Sequence, residues 1–104
     1  MTSRLIAQLA AGLLVLSAAV ARADDAKVTA GARVYQNYCA TCHGEELQNN
    51  TNVSFDLRRL RADEEPRFVN SVLNGKNAMP SWKGVLDESK IEALWAYVRA
   101  NAYE

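Results

Sequence analysis

The chain has 104 residues, with 12 basic and 12 acidic side chains and a single histidine. That length allows one small domain, and the balanced charge excludes a polybasic nucleic-acid binder. Only two cysteines are present, three positions apart, so a disulfide between them would close a loop too small to staple a domain of this size.

The first element in chain order reads as a leader. Arg4 gives a positive start, Leu5 to Val20 form an apolar run, and Ala21-Arg22-Ala23 place small residues where a signal peptidase cuts. The run is short for a bilayer span of ~20 apolar residues. Residues 1–23 are therefore expected to be a cleaved signal peptide, and 24–104 the mature domain, exported to the periplasm without stable membrane insertion. Loss of Arg4 and Arg22 leaves 10 basic against 12 acidic residues. A domain of 81 residues has little room for a core, so a large covalent cofactor is the expected staple.

A first helix is expected from Val28 to Cys39, with Ala30, Val34, Tyr35 and Tyr38 at helical steps and Thr29 as a cap. The second runs from Glu64 to Leu73. Pro66 suits its first turn, Phe68, Val69, Val72 and Leu73 make the apolar stripe, and Asn74-Gly75 stops it. The third runs from Glu88 to Ala100, capped by Asp87, with Ile91, Leu94, Trp95 and Val98 buried and Arg99 complementing the C-terminal dipole. Residues 44–63 and 76–86 lack periodicity, and their Asn, Gly and Pro content argues for loops wrapped around something. With no sustained alternation anywhere, the fold class is all-α.

Cys39-Ala40-Thr41-Cys42-His43 at the end of the first helix is the signature of covalent haem attachment. Two thiols on one helical turn reach one edge of a porphyrin, and the next residue aims an imidazole at the iron. A thioredoxin-like redox pair would need a βαβ context, and zinc would need four ligands, whereas residues 24–104 hold no further histidine or cysteine. His43 being the only histidine, paired histidine ligation within one molecule is excluded. Met79, the only methionine of the mature segment, lies 36 residues beyond it in a loop, and Pro80 holds it extended. A thioether is the usual partner of histidine in electron-transfer haems, so Met79 is the expected sixth ligand, with Lys76 or Lys83 as fallback.

These residues resemble the class I cytochrome c family. The likeness rests on Gly31 and Tyr35, the Cys39 to His43 motif, Val72 to Trp82 and Leu94-Trp-Ala-Tyr-Val98, and it covers nearly all of residues 27–100. It implies a small cytochrome c fold of three main helices and loops around one haem c, with Gly31 and Tyr35 against Leu94 and Tyr97. The segment from Phe55 to Arg59 and the Asn-Ser-Val-Leu-Asn-Gly helix end resemble small cytochromes that serve quinoprotein alcohol dehydrogenases.

The resulting expectation is a monomeric, non-enzymatic carrier of single electrons between a donor dehydrogenase and an acceptor oxidase in transient complexes. The alternative is a haem enzyme or gas sensor with an open sixth position. Arg58, Arg59 and Arg61 are open to two readings, as propionate partners or as a solvated loop face. Trp82 likewise fits the haem edge, a propionate or plain packing, while Trp95 and Tyr97 read as packing residues.

Overall fold

In the computed structural model, the described residues are 22–49 and 54–103. Residues 22–38 are helical (α1), followed by the single turn α2 (Ala40–His43), then α3 (Glu65–Asn74) and α4 (Glu88–Ala100). Short 3-10 turns at Glu45–Leu47, Leu57–Arg59 and Ala62–Glu64 punctuate the loop between α2 and α3. Among the described residues there is no strand, only two isolated bridges, Lys76 with Met79 and Lys83 with Leu86. The all-helical expectation therefore holds. Most of the expected signal peptide, and Asn50 to Val53, lie outside the described residues.

Three helix boundaries follow from local chemistry. Asp87 caps α4 by accepting a hydrogen bond from the Lys90 backbone N–H at 2.8 Å. Pro66 occupies the first turn of α3, where its missing N–H is no loss, and Gly75 ends that helix at φ 74°, ψ 171°. The start of α1 differs from expectation. Thr29 lies inside a helix that already includes residue 22, so it is not a cap. Between Ala23 and Thr29 there is no glycine or proline, and alanines carry the helix through.

The core gathers Tyr35, Leu47, Leu60, Phe68, Val72, Leu86, Ile91, Leu94 and Val98. Its centre is the crossing of α1 and α4. A Cβ on Gly31 would lie 1.9 Å from the Ala93 carbonyl oxygen and 2.9 Å from Tyr97 Cβ, so glycine alone permits this approach. One turn on, the rings of Tyr35 and Tyr97 pack with centroids 5.4 Å apart, and Leu94 is in the same core. Helices α3 and α4 meet through Phe68 and Trp95, 5.1 Å between centroids. The C-terminus is tied back to the loop: Tyr103 N–H donates to the Arg58 carbonyl at 3.0 Å, and its hydroxyl donates to Asp56 Oδ2 at 2.8 Å. Arg99 also donates to the Leu60 carbonyl, at 2.6 Å.

Candidate functional site

Beside this core lies an apolar cavity of about 450 Å³. Cys39, Cys42, His43 and Met79, far apart in sequence, all line it. Leu57, Leu60, Phe68, Val72 and Leu94 make its apolar walls, and Arg67 and Lys76 are among its lining residues.

The attachment motif is presented by the α1–α2 junction. Cys39 N–H still donates to the Tyr35 carbonyl at 2.8 Å, and His43 N–H donates to the Cys39 carbonyl at 2.9 Å, so the motif stays coiled in one turn. Cys39 and Cys42 form no disulfide. Burial, then the neighbouring Cys42, pushes the Cys39 thiol up to about 11. Gly44 ends the turn at φ 94°, ψ 155°, a conformation open essentially to glycine alone. The Tyr35 hydroxyl donates to its carbonyl. Burial raises the pKa of that hydroxyl, so it remains a donor at neutral pH.

The imidazole is oriented by backbone. His43 Nδ1 lies 3.0 Å from the Phe55 carbonyl oxygen. A carbonyl can only accept, so the proton sits on Nδ1 and the free lone pair on Nε2. The strap carrying Phe55 is itself held, since Ser54 Oγ donates to the Cys42 carbonyl at 2.6 Å.

Met79 arrives from the other side of the sequence on a tight turn. Met79 N–H donates to the Lys76 carbonyl at 2.9 Å and Lys76 N–H returns to the Met79 carbonyl at 3.1 Å, with Asn77 at φ 54° inside. Trp82 N–H donates to the Val72 carbonyl at 2.9 Å, anchoring the turn to α3, and Ser81 Oγ donates to the Leu73 carbonyl. Trp82 lines the cavity and meets Tyr38 edge-on at 5.3 Å. Lys76, the first fallback ligand, also lines the cavity; Lys83 does not.

The arginines divide differently from the sequence reading. None of Arg58, Arg59 and Arg61 lines this cavity. Arg58 grips Asp56 with two hydrogen bonds of 3.0 and 3.1 Å and faces a separate polar depression of about 530 Å³ between α1, the Glu45–Gln48 segment and the end of α4. Arg61 pairs with Asp63 at 3.3 Å on the surface. The arginine at the cavity is Arg67, which spacing alone did not single out because it sits among the exposed residues of α3.

The donor set and the walls fit a haem. Two cysteine sulfurs outside any disulfide, an imidazole with its lone pair on Nε2 and a thioether line one apolar space, while among the described residues no three His, Cys, Asp or Glu side chains gather to hold a bare metal ion. The family described as "Cytochrome C oxidase, cbb3-type, subunit III" matches residues 26–98. The chain is 37% identical over 76 residues to cytochrome c6 of Nostoc sp. (strain PCC 7120), covering 69% of this chain and 68% of that one. It is 32% identical over 76 residues to the cbb3-type cytochrome c oxidase subunit FixP of Bradyrhizobium sp. (strain ORS 278), covering 68% of this chain but 26% of that subunit. Quinohemoprotein alcohol dehydrogenase ADH-IIG of Pseudomonas putida is 28% identical over 83 residues, covering 78% of this chain and 11% of the enzyme. No solved structure matches the chain.

Proposed function

Since the chain belongs to the c-type cytochromes and its cofactor is covalently bound haem c, we propose that it is an exported single-electron carrier in which Cys39 and Cys42 hold the haem and His43 and Met79 are its axial ligands. The observation that carries this reading is the convergence of those four side chains on one apolar cavity.

When bound, the haem supplies a reversible one-electron couple. The protein's part is to hold that couple still. Cys39 and Cys42 come from one helical turn, so they would hold one edge of the haem rigidly. The Phe55 carbonyl fixes the imidazole tautomer and raises the basicity of Nε2. Met79 sits on a hydrogen-bonded turn anchored to α3 through Trp82. If His43 and Met79 both held the haem, no position would be left for substrate, which favours a carrier over an enzyme or gas sensor. Leu57, Leu60, Phe68, Val72 and Leu94 make an apolar wall that disfavours net charge, which together with a thioether ligand would raise the potential relative to paired histidines.

Residues 1–23 would be removed on export, leaving a monomeric periplasmic domain. No helix among the described residues is long and apolar enough to cross a membrane. Its partners are a donor dehydrogenase, with a quinoprotein alcohol dehydrogenase as the named candidate, and an acceptor oxidase. Each docks through a small interface of under ~1,200 Å². Similarity to an oxidase subunit and to a quinohaemoprotein dehydrogenase supports those two classes.

Optical spectroscopy of the mature ferric protein tests the ligand set. A low-spin spectrum with the weak near-infrared iron-to-sulfur band is expected, and Met79→Ala should abolish that band and admit cyanide or carbon monoxide rapidly. A high-spin ferric protein, or a band untouched by Met79→Ala, would overturn ligation by Met79.

A further inference from the structure

The hydrogen bond that orients His43 comes from a surface strap whose ring has little core to rest on. Phe55 is 41% exposed, yet its carbonyl accepts from His43 Nδ1. What covers the ring is Arg67. The guanidinium carbon stands 4.9 Å from the ring centroid, and Nη1 is 3.2 Å from Glu64 Oε1. Glu64 is itself fixed, because its Oε2 accepts from the Arg61 backbone N–H at 2.8 Å. The start of α3 thus aims one guanidinium at the ring of the residue whose carbonyl orients the imidazole.

We propose that Arg67 is a positioning residue for His43, acting through the Phe55 ring; the proposal rests on His43 being a haem ligand. The guanidinium lying over the Phe55 ring holds the strap against the cavity rim, and the strap holds Nδ1–H. Arg67 and Phe55 both line the cavity, so the test must separate an effect through the Phe55 ring from a direct effect of the charge.

The measurement is hydrogen exchange of the His43 Nδ1 proton, read by NMR in the reduced holoprotein. A cation–aromatic contact at an exposed site corresponds to an opening equilibrium about two- to fivefold larger when it is lost. Arg67→Ala should therefore speed the exchange about two- to fivefold. Phe55→Leu, which keeps the carbonyl and changes no charge, should do the same. Adding Arg67→Ala to Phe55→Leu should then do nothing further. Unchanged exchange in Arg67→Ala, or an effect of Arg67→Ala that persists undiminished in the Phe55→Leu background, would overturn the proposal; the latter would mean the charge acts directly. Both side chains are exposed, and thermal melts of each variant separate global unfolding from local opening. Failure of the ligand reading is distinct, since the wild-type protein would then show no low-spin spectrum and no haem-shifted His43 resonance.

Discussion

Gly31→Ala isolates the helix crossing on which the site is built. By helix propensity alone the change is favourable by about 1 kcal/mol, since glycine in a helix interior costs that much relative to alanine. Tertiary structure opposes it. The new methyl would lie 1.9 Å from the Ala93 carbonyl oxygen, whereas carbon–oxygen contacts across packed backbones settle near ~3.3 Å. The obstacle is backbone, so α1 and α4 must part by roughly 1.4 Å, and a gap of that size forfeits much of the dispersion between Tyr35 and Tyr97. Overpacking costs about 1–3 kcal/mol and more when nothing flexible can yield. Placing the clash at or above the top of that range leaves a net loss of about 2 kcal/mol after the propensity gain. For a domain of this length the loss corresponds to a Tm lower by roughly 8–16 °C. Thermal and guanidinium melts of the oxidised holoprotein, followed by far-ultraviolet circular dichroism, give the value. A Tm equal to or above that of the wild type would refute the reasoning, because it would mean the helices do not meet at this glycine.

Other perturbations reach the surrounding structure. Hydrogen bonding from Arg58 above all, opposed by burial and then aided by the Tyr103 hydroxyl, holds the Asp56 carboxyl down from its ordinary 3.8 to about 2. A depressed carboxylate pKa stabilises the fold fully above pH ~4, and the contribution disappears as pH falls towards ~2. Discounted for partial exposure it amounts to roughly 1–2 kcal/mol, so Asp56→Asn should lower stability at neutral pH and flatten acid denaturation between about pH 4 and 2. Acid titration of unfolding for the two proteins checks the slope. Gly75→Ala forces a side chain into a conformation that only glycine adopts, with its Cβ 2.6 Å from the Met79 carbonyl oxygen. It should cost about 1–3 kcal/mol and weaken the near-infrared band selectively, leaving helix content intact. Tyr35→Phe removes the hydrogen bond to the Gly44 carbonyl and should cost about 1 kcal/mol in denaturant melts.

Much of this architecture is legible in the residues themselves. Asp87, the Ile91-Leu94-Val98 stripe and Arg99 mark α4 to the residue, and Pro66 with Gly75 brackets α3 to within one position. The helical start of α1 was not legible, because Thr29 looks like a cap only if the chain before it is not already helical. The Cys-x-x-Cys-His turn declares its chemistry locally, and Met79 follows from elimination, so the four candidate donors can be named before their shared cavity is seen. The strap was invisible for a physical reason: the group that orients His43 is the carbonyl of Phe55, and every residue has one. The arginines show the opposite limit. Arg58, Arg59 and Arg61 stand out as a cluster, yet Asp56 and Asp63 hold two of them away from the cavity, while the solitary Arg67 reaches it.

The intact mass of the mature holoprotein, made with the haem-attachment machinery present, tests the central claim most directly. One haem added to the polypeptide beginning at Asp24, lost when both Cys39 and Cys42 are changed to serine, is the predicted result. A wild-type chain with the mass of its amino acids alone would contradict the account.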